Sequence, residues 1–284
     1  MKRPQEIAKE RDTMTSIAYL TNIFESLASM KIAQTKDQVL HSQVFFQEIW
    51  SIYSQMRIDS LFRFGREKEQ TALDRDLFIA ITAEGGFSGD IDQKLISYML
   101  EQHDPAKQDI IIIGHHGATQ LTQHGVKYKK YYKLPQKDEN INVTPLVAEI
   151  SQYKNTSVFY QAYVSLMVQD IKKIDLQKSV QDAGSQSTGE GDVIDEISYI
   201  FEPNSYAVVA HLERTMLKIA LSQTILDSKL AQFASRFRSM SASKERANES
   251  EHDLKIQYYR AKRAVSDERL KEMINGMRRS AGRV

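Results

Sequence analysis

The chain has 284 residues, 41% of them apolar and 26% charged, with a formal net charge of +1. That balance is globular and excludes a disordered or collagen-like chain. Cysteine is absent, which excludes a disulfide framework, thiolate zinc sites, iron–sulfur clusters and a cysteine nucleophile.

The first ten residues, Met1-Lys-Arg-Pro-Gln-Glu-Ile-Ala-Lys-Glu10, carry acids and no apolar signal core. No apolar run approaches the roughly 18 residues of a membrane span. A soluble, cytoplasmic protein is expected. From Pro4 to Gly65 the chain then holds neither Gly nor Pro, the two residues that most readily end helices. A helix far longer than the usual 11–12 residues follows. Its apolar stripe is read at Met14, Ile17, Leu20, Phe24 and Leu27, resuming at Val39, Phe45, Phe46, Ile49, Ile52 and Met56. The polar middle, Gln34 to Val39, is expected to be exposed on every side.

Between Gly65 and Pro203 the pattern changes. Asp76–Thr82 reads as a strand, Glu84-Gly-Gly-Phe-Ser-Gly89 as a turn and Ile91–Leu100 as a helix. Asp109–Gly114 is a second strand, Gly117–His124 a short helix and Val126–Tyr132 a third strand. Thr144–Tyr153 is a helix with Pro145 at its start. Ser157–Val168 and Ile197–Phe201 are extended, with a flexible loop over Gln181–Asp192 between them. Continuous apolar strands alternating with helices imply a parallel sheet covered on both faces.

The last 72 residues before Gly276 again lack Gly and Pro, entered by Pro203-Asn204-Ser205 with Asn or Ser as cap. Ile219, Leu226, Phe233, Met240, Ala247, Leu254 and Ala261 recur every seven residues, accompanied by Met216, Leu230, Phe237, Tyr258 and Val265. This a/d repeat implies a left-handed coiled coil. Two breaker-free rods around a compact middle fit one antiparallel hairpin. The longer second rod is expected to outrun the first by about 12 residues, some 18 Å of single helix.

Catalytic signatures are weak. The Glu84–Gly89 turn lacks the three-glycine fingerprint and any following Gly-Lys-Ser/Thr, and Glu84 and Asp90 repel phosphate. Gly114-His115-His116-Gly117 with His124 lacks metal-ligand spacing, and adjacent loop histidines usually point apart into solvent. Ser157 and Ser165 lack a nucleophile elbow. No catalytic, cofactor-binding or metal residues are assigned. Lys229–Val284 carries 14 basic and 7 acidic residues, but the basics are interleaved with acids and lack a stacking platform, which argues against nucleic acid.

The order of segments resembles the gamma subunit of F-type rotary ATP synthases along nearly the whole chain. Leu20–Ile32 is similar to the family's first-helix segment, with Lys31 at its lysine. Phe78–Asp90 resembles its strand and "S-D-R-G-L-C-G-G" turn; Ile112–Gly114 with Gly117 resembles its second strand and turn. Tyr199-Ile-Phe-Glu-Pro203 resembles "Y-x-Y-E-P", and Ser228–Met240 resembles the "E-S-x-A-S-E-x-x-A-R-M-x-A-M" stretch. Tyr258–Gly276 resembles "Y-N-R-A-R-Q-A-V-I-T-K-E-L-x-E-I-x-x-G", sharing Tyr258, Arg260, Ala261, Ala264, Val265, Leu270, Glu272 and Gly276, with Lys262 for Arg. Departures are Ser266-Asp267, Arg263, Glu84-Gly85 and the basic tail Arg278–Arg283, which point to a divergent member, one reading being an alternate, sodium-type ATPase.

The resemblance implies an α/β fold: a long antiparallel coiled coil of residues 1–64 and 204–284 with a small doubly wound, Rossmann-like domain over 65–203. It implies a non-catalytic rotor that couples ATP synthesis or hydrolysis to ion translocation, with no cofactor bound directly. The partners implied are the catalytic and non-catalytic subunits of a hexamer, an epsilon-type stalk subunit and the membrane ring, at the cytoplasmic face of a bacterial membrane. Lys31, Arg236, Met240, Arg260 and Lys262 are the expected partner or torque contacts, with Arg238, Lys244, Arg246 and Arg263 as further neck basics. Leu20, Phe24, Leu27, Ile219, Leu226, Phe233 and Phe237 form the expected seam. The competing reading is a coiled-coil scaffold or adaptor without an ATPase partner.

Overall fold

A computed structural model describes residues 3–55, 73–134, 141–179, 200, 202 and 204–281. In chain order these form α1 (Pro4–Gln55), β1 (Asp76–Ile81), α2 (Ile91–Leu100), β2 (Gln108–Ile113), α3 (His115–Gln123), β3 (Lys130–Tyr132), α4 (Thr144–Ile150), β4 (Thr156–Tyr163), β5 (Gln169–Asp175) and α5 (Ser205–Ala281). The two terminal helices run 52 and 77 residues without a break. All of the expected segment 197–201 except residue 200, the loop 181–192, the tail 282–284 and the boundaries at 64/65 and 203 lie outside the described residues. The chain divides into two compact units, Ala28–Arg236 and the pair Met1–Leu27 with Phe237–Val284.

The first unit is built on a five-stranded sheet in the order β3-β2-β1-β4-β5. β1 pairs in parallel with β2 and β4, and β2 with β3. Successive side chains on a strand point to opposite faces, and each face has its own cover. Leu77, Ile79 and Ile81 meet Phe46 and Trp50 of α1, Leu146 and Ile150 of α4, and Met216, Leu217, Leu221 and Ile225 of α5. Phe78 and Ala80 meet Leu95, Ile96 and Met99 of α2 and Leu121 of α3. Burial on both sides explains why these strands read as unbroken apolar runs. The pairing of α1 with α5 is antiparallel here, with the Tyr53 hydroxyl donating to Glu213 at 3.3 Å.

β5 is a strand the sequence pattern did not show. The extended segment read over 157–168 ends at Tyr163, turns, and returns as β5, antiparallel to β4. Gln-Asp-Ile-Lys-Lys-Ile-Asp is an edge strand with a solvated face, so it lacks the apolar signature of its neighbours. The third strand is shorter than expected, beginning at Lys130. The polar middle of α1 is not exposed all round: Thr35 is fully buried.

In the second unit α1 and α5 again run antiparallel. Lys244 binds Glu25 and Asn22, and the Arg11 guanidinium lies 5.8 Å from the Tyr258 ring centre. The packed faces differ from the expected seam on α1. Ile7 and Thr21 are buried with Met14 half-buried between them, seven residues apart. Leu20, Phe24 and Leu27 are instead 53%, 36% and 46% exposed. The seam is one residue on, rotated about 100° around the helix; it uses a small residue, Thr21, whose hydroxyl is satisfied by the Ile17 and Ala18 carbonyls. On α5, Met240, Ala247 and Ala261 are buried and Phe237 half-buried. The Lys244–Glu25 and Arg11–Tyr258 register places Pro4 beside about residue 265, so roughly 16 residues, about 24 Å, of α5 continue past it. Over 265–277 every described side chain is exposed.

Candidate functional site: a polar joint in the sheet crevice

In a doubly wound sheet the ligand crevice lies at the carboxyl ends of the strands, where the strand order reverses. Here that point falls between β1 and β4. The loops around it are held by Thr82, whose hydroxyl reaches the Ile113 and Gly114 carbonyls and accepts from the Gly117 amide at 2.9 Å. Gly114 has φ 101°, and a Cβ there would stand 2.0 Å from the Thr82 oxygen; at Gly117 it would stand 2.7 Å from the Thr82 hydroxyl. Only glycine fits at either place, so the chain passes close over Thr82 and enters α3 with His116 turned inward. The adjacent turn holds Phe87 at φ 70°, an uncommon conformation for a bulky residue.

The crevice is filled by side chains. Asp92, in the first turn of α2, has a side chain only 3% exposed. A carboxylate buried so deeply requires compensation. It accepts from His116 Nδ1 at 3.0 Å, from Gln161 Nε2 at 2.7 Å and from the Ala83 amide at 3.2 Å. Gln161, fully buried on β4, turns its other end to α5: its Oε1 accepts from the Ser228 hydroxyl at 2.6 Å and from Gln232 Nε2 at 3.3 Å. Gln232 also donates to Ser228 at 3.0 Å. One turn further along α5, the Ser235 hydroxyl donates to the Ser88 carbonyl at 2.7 Å, and Arg236 donates to the Gly86 and Gly85 carbonyls at 3.1 and 3.3 Å.

Electrostatics follow this packing. The hydrogen bond that His116 donates to Asp92 raises it above the ordinary histidine value of 6.5; burial and the nearby Arg236 oppose it. Burial pulls Arg236 down, with Asp92 opposing. Burial also raises Asp227, which accepts from the Tyr163 amide at 3.3 Å.

The expected site residues separate. Arg236 is committed to the turn carbonyls within its own unit, and Lys244, one of the neck basics, is bound to Glu25. Met240 is buried. Lys31 is half-buried; Arg260 and Lys262 are exposed. In the α5 seam Ile219 and Leu226 are buried and Phe233 half-buried under the Arg236 guanidinium, 5.6 Å away. His116 does not point into solvent as expected of adjacent loop histidines; His115 does. Asp92, Gln161, Ser228, Gln232 and Ser235 were missed. A glutamine inside Val158–Ala162, and serines and glutamine spaced 4 and 3 apart within an apolar seam, were the available signals.

Chemically this arrangement is a fastening. The place where a doubly wound enzyme holds its ligand is stoppered by the helix that crosses it. Among the described residues no group of three or more His, Asp or Glu is placed to hold a metal ion. Directional hydrogen bonds resist sliding and rotation of α5 over the sheet, which non-directional apolar contact does not.

A family model described as ATP synthase matches residues 4–278. The ATP synthase gamma chain of Malacoplasma penetrans is 20% identical over 287 residues, covering 95% of this chain and 97% of the relative. That of Staphylococcus aureus strain JH9 is 24% identical over 215 residues, covering 71% and 73%. Among solved structures, a chain of the Euglena gracilis mitochondrial ATP synthase, in an OSCP/F1/c-ring assembly, superposes with a TM-score of 0.66 at 14% identity, covering 99% of this chain and 97% of its own. A chain of the Tetrahymena thermophila mitochondrial ATP synthase central stalk/c-ring gives 0.58 at 13% identity, covering 78% and 98%.

Proposed function

Because the chain belongs to the ATP synthase family as one of its gamma chains, the non-catalytic rotor subunit of the central stalk, we propose how its parts divide the work of coupling. The observation that carries the division is the stoppered crevice: at the carboxyl ends of its strands the sheet domain is hydrogen-bonded to α5 through Gln161. Torque entering through the sheet domain reaches the shaft through that attachment.

The paired helices of the second unit then act inside a catalytic hexamer. The apolar side chains of Ile17, Leu20 and Leu27, exposed on α1, suit a dry bearing surface, and the exposed Arg260 and Lys262 suit acidic loops of the surrounding subunits. Lys31 belongs with these contacts. Arg236 and Met240 act within the rotor, one as fastener and one as packing. An asymmetric rod presents a different surface to each catalytic subunit, so their nucleotide affinities differ by differential contact. The sheet domain rests on the membrane ring beside an epsilon-type subunit, at the cytoplasmic face of a bacterial membrane; bacterial relatives support that location. The attachment is peripheral: among the described residues no helix is long and apolar enough to cross a membrane.

The test is an insertion of four residues after Leu230. It displaces Gln232, Ser235 and Arg236 by more than a helical turn from their partners on β4 and the 85–88 turn, while Ser228, before the insertion, still reaches Gln161. The chain should co-purify with the hexamer at one copy per three catalytic subunits, and the insertion should leave ATP hydrolysis but abolish ion pumping. Unchanged pumping refutes the proposal.

A further inference from the structure

We propose that His116 is a positioning residue for coupling: by taking up and releasing a proton against Asp92, it tightens and slackens the fastening between the sheet and α5. The inference rests on the rotor reading above and adds its regulation.

The geometry is that of a keystone. Asp92 touches α3 through His116, β4 through Gln161 and the β1 exit through Ala83. Gln161 hands that contact to Ser228 and Gln232 of α5. The orientation of the Gln161 amide, nitrogen to Asp92 and oxygen to α5, therefore depends on Asp92 remaining an acceptor in place. His116 is 33% exposed, so protons reach it, whereas Asp92 is sealed.

The charged groups facing His116 are Asp92 from α2, Glu84 from the turn and Arg236 from α5. When His116 is protonated, Asp92 has an adjacent cation and Arg236 is left to the Gly85 and Gly86 carbonyls. When His116 is neutral, its Nδ1 can still donate, but the buried carboxylate loses its adjacent charge and Arg236 is the remaining cation. Two sites then compete for one guanidinium. Three effects oppose protonation: the cost of burial, the nearby Arg236 cation, and the helix dipole at the start of α3, where a cation is disfavoured. The Asp92 hydrogen bond outweighs burial and raises the histidine. The tightening is thus complete below the ordinary value of 6.5 and is lost as pH rises through the raised one. The fastening is firm in acid and slack in alkali.

The experiment uses the assembled ATPase. Amide hydrogen exchange of residues 83–92 and 228–236, corrected for intrinsic exchange, is followed from pH 6 to 9 beside the ratio of ions pumped to ATP hydrolysed. In the native complex, protection of both segments should fall several-fold across that range, with the pumping ratio. His116→Gln should hold protection at the alkaline level throughout; His116→Lys, which keeps a charge that does not titrate there, should hold it at the acid level. If His116→Gln does not assemble, the lysine variant decides alone. A native pH profile retained in either variant overturns the proposal. Protection that follows His116 while the pumping ratio does not overturns its role in coupling. A joint insensitive to His116 in complexes that still uncouple on the four-residue insertion overturns this inference and leaves the rotor reading intact.

Discussion

Gln161 and Gln232 lie 71 residues apart in sequence, on β4 and α5, and both are buried; the amide of Gln232 donates to the carbonyl of Gln161 at 3.3 Å. Two buried amides facing each other across a helix–sheet boundary fix one relative position of the two elements. A shift of either leaves a polar group unpaired, which costs about 1–3 kcal/mol per group.

Gln161→Leu should therefore be among the most damaging substitutions in the sheet domain. It removes a donor from the Asp92 carboxylate and the acceptor shared by Ser228 and Gln232. A loss of about 3 kcal/mol is expected, read as a lowered denaturant midpoint with unchanged slope. A loss under about 0.5 kcal/mol, the usual surface range, would show that water replaces the amide.

Gly114→Ala and Gly86→Ala should separate sharply. The first places a Cβ against the Thr82 backbone at a positive φ; the second meets nothing within 4 Å. About 3 kcal/mol or more is expected for Gly114→Ala and less than about 0.5 kcal/mol for Gly86→Ala. Thermal unfolding of the two variants, measured together, checks the contrast.

Asp227→Asn tests a buried carboxylate whose value burial has raised. Such an acid weakens the fold when ionised, and the penalty is relieved as pH falls through the raised value. The asparagine oxygen still accepts from the Tyr163 amide. The variant should be the more stable at pH 7, and the difference should close on acidification, followed by melting temperature against pH. A variant less stable at pH 7 would mean that Lys172, which favours the charged form, outweighs burial.

Leu20→Gln and Ala247→Leu address opposite faces of the paired helices. Leu20 is exposed, so its change should alter the chain's own stability by less than about 0.5 kcal/mol while weakening association with the hexamer, measured by co-purification under increasing salt and detergent. Ala247 is buried, and overpacking there should cost about 1–3 kcal/mol. If Leu20→Gln leaves association intact, the α1 stripe is not the bearing surface.

The buried strands were legible because their burial is written in large apolar residues, as in the run Ile110–Ile113; on α5, Ile219 and Leu226 are buried too, Ile219 against the sheet cluster. The face of α1 was misread for the converse reason. Its buried line includes the small residues Thr21, Ala28 and Thr35, while Leu20, Phe24 and Leu27 stay exposed. β5 was hidden by its solvated face, and the fastening was hidden because its members come from α2, α3, β4 and α5. Sequence spacing cannot report that Asp92 and Gln161 meet. Glycine placement did carry information: Gly114 and Gly117 flank the histidines because Thr82 leaves no room for a side chain.

The length of α5 that runs past Pro4 has a mechanical consequence. Flexural rigidity rises steeply with the thickness of a rod, so two helices side by side resist bending far more than one. The last four or so turns of this one are its most compliant length. Bending loads on α5 are taken up there as curvature, and the stiffer paired section behind it is spared them.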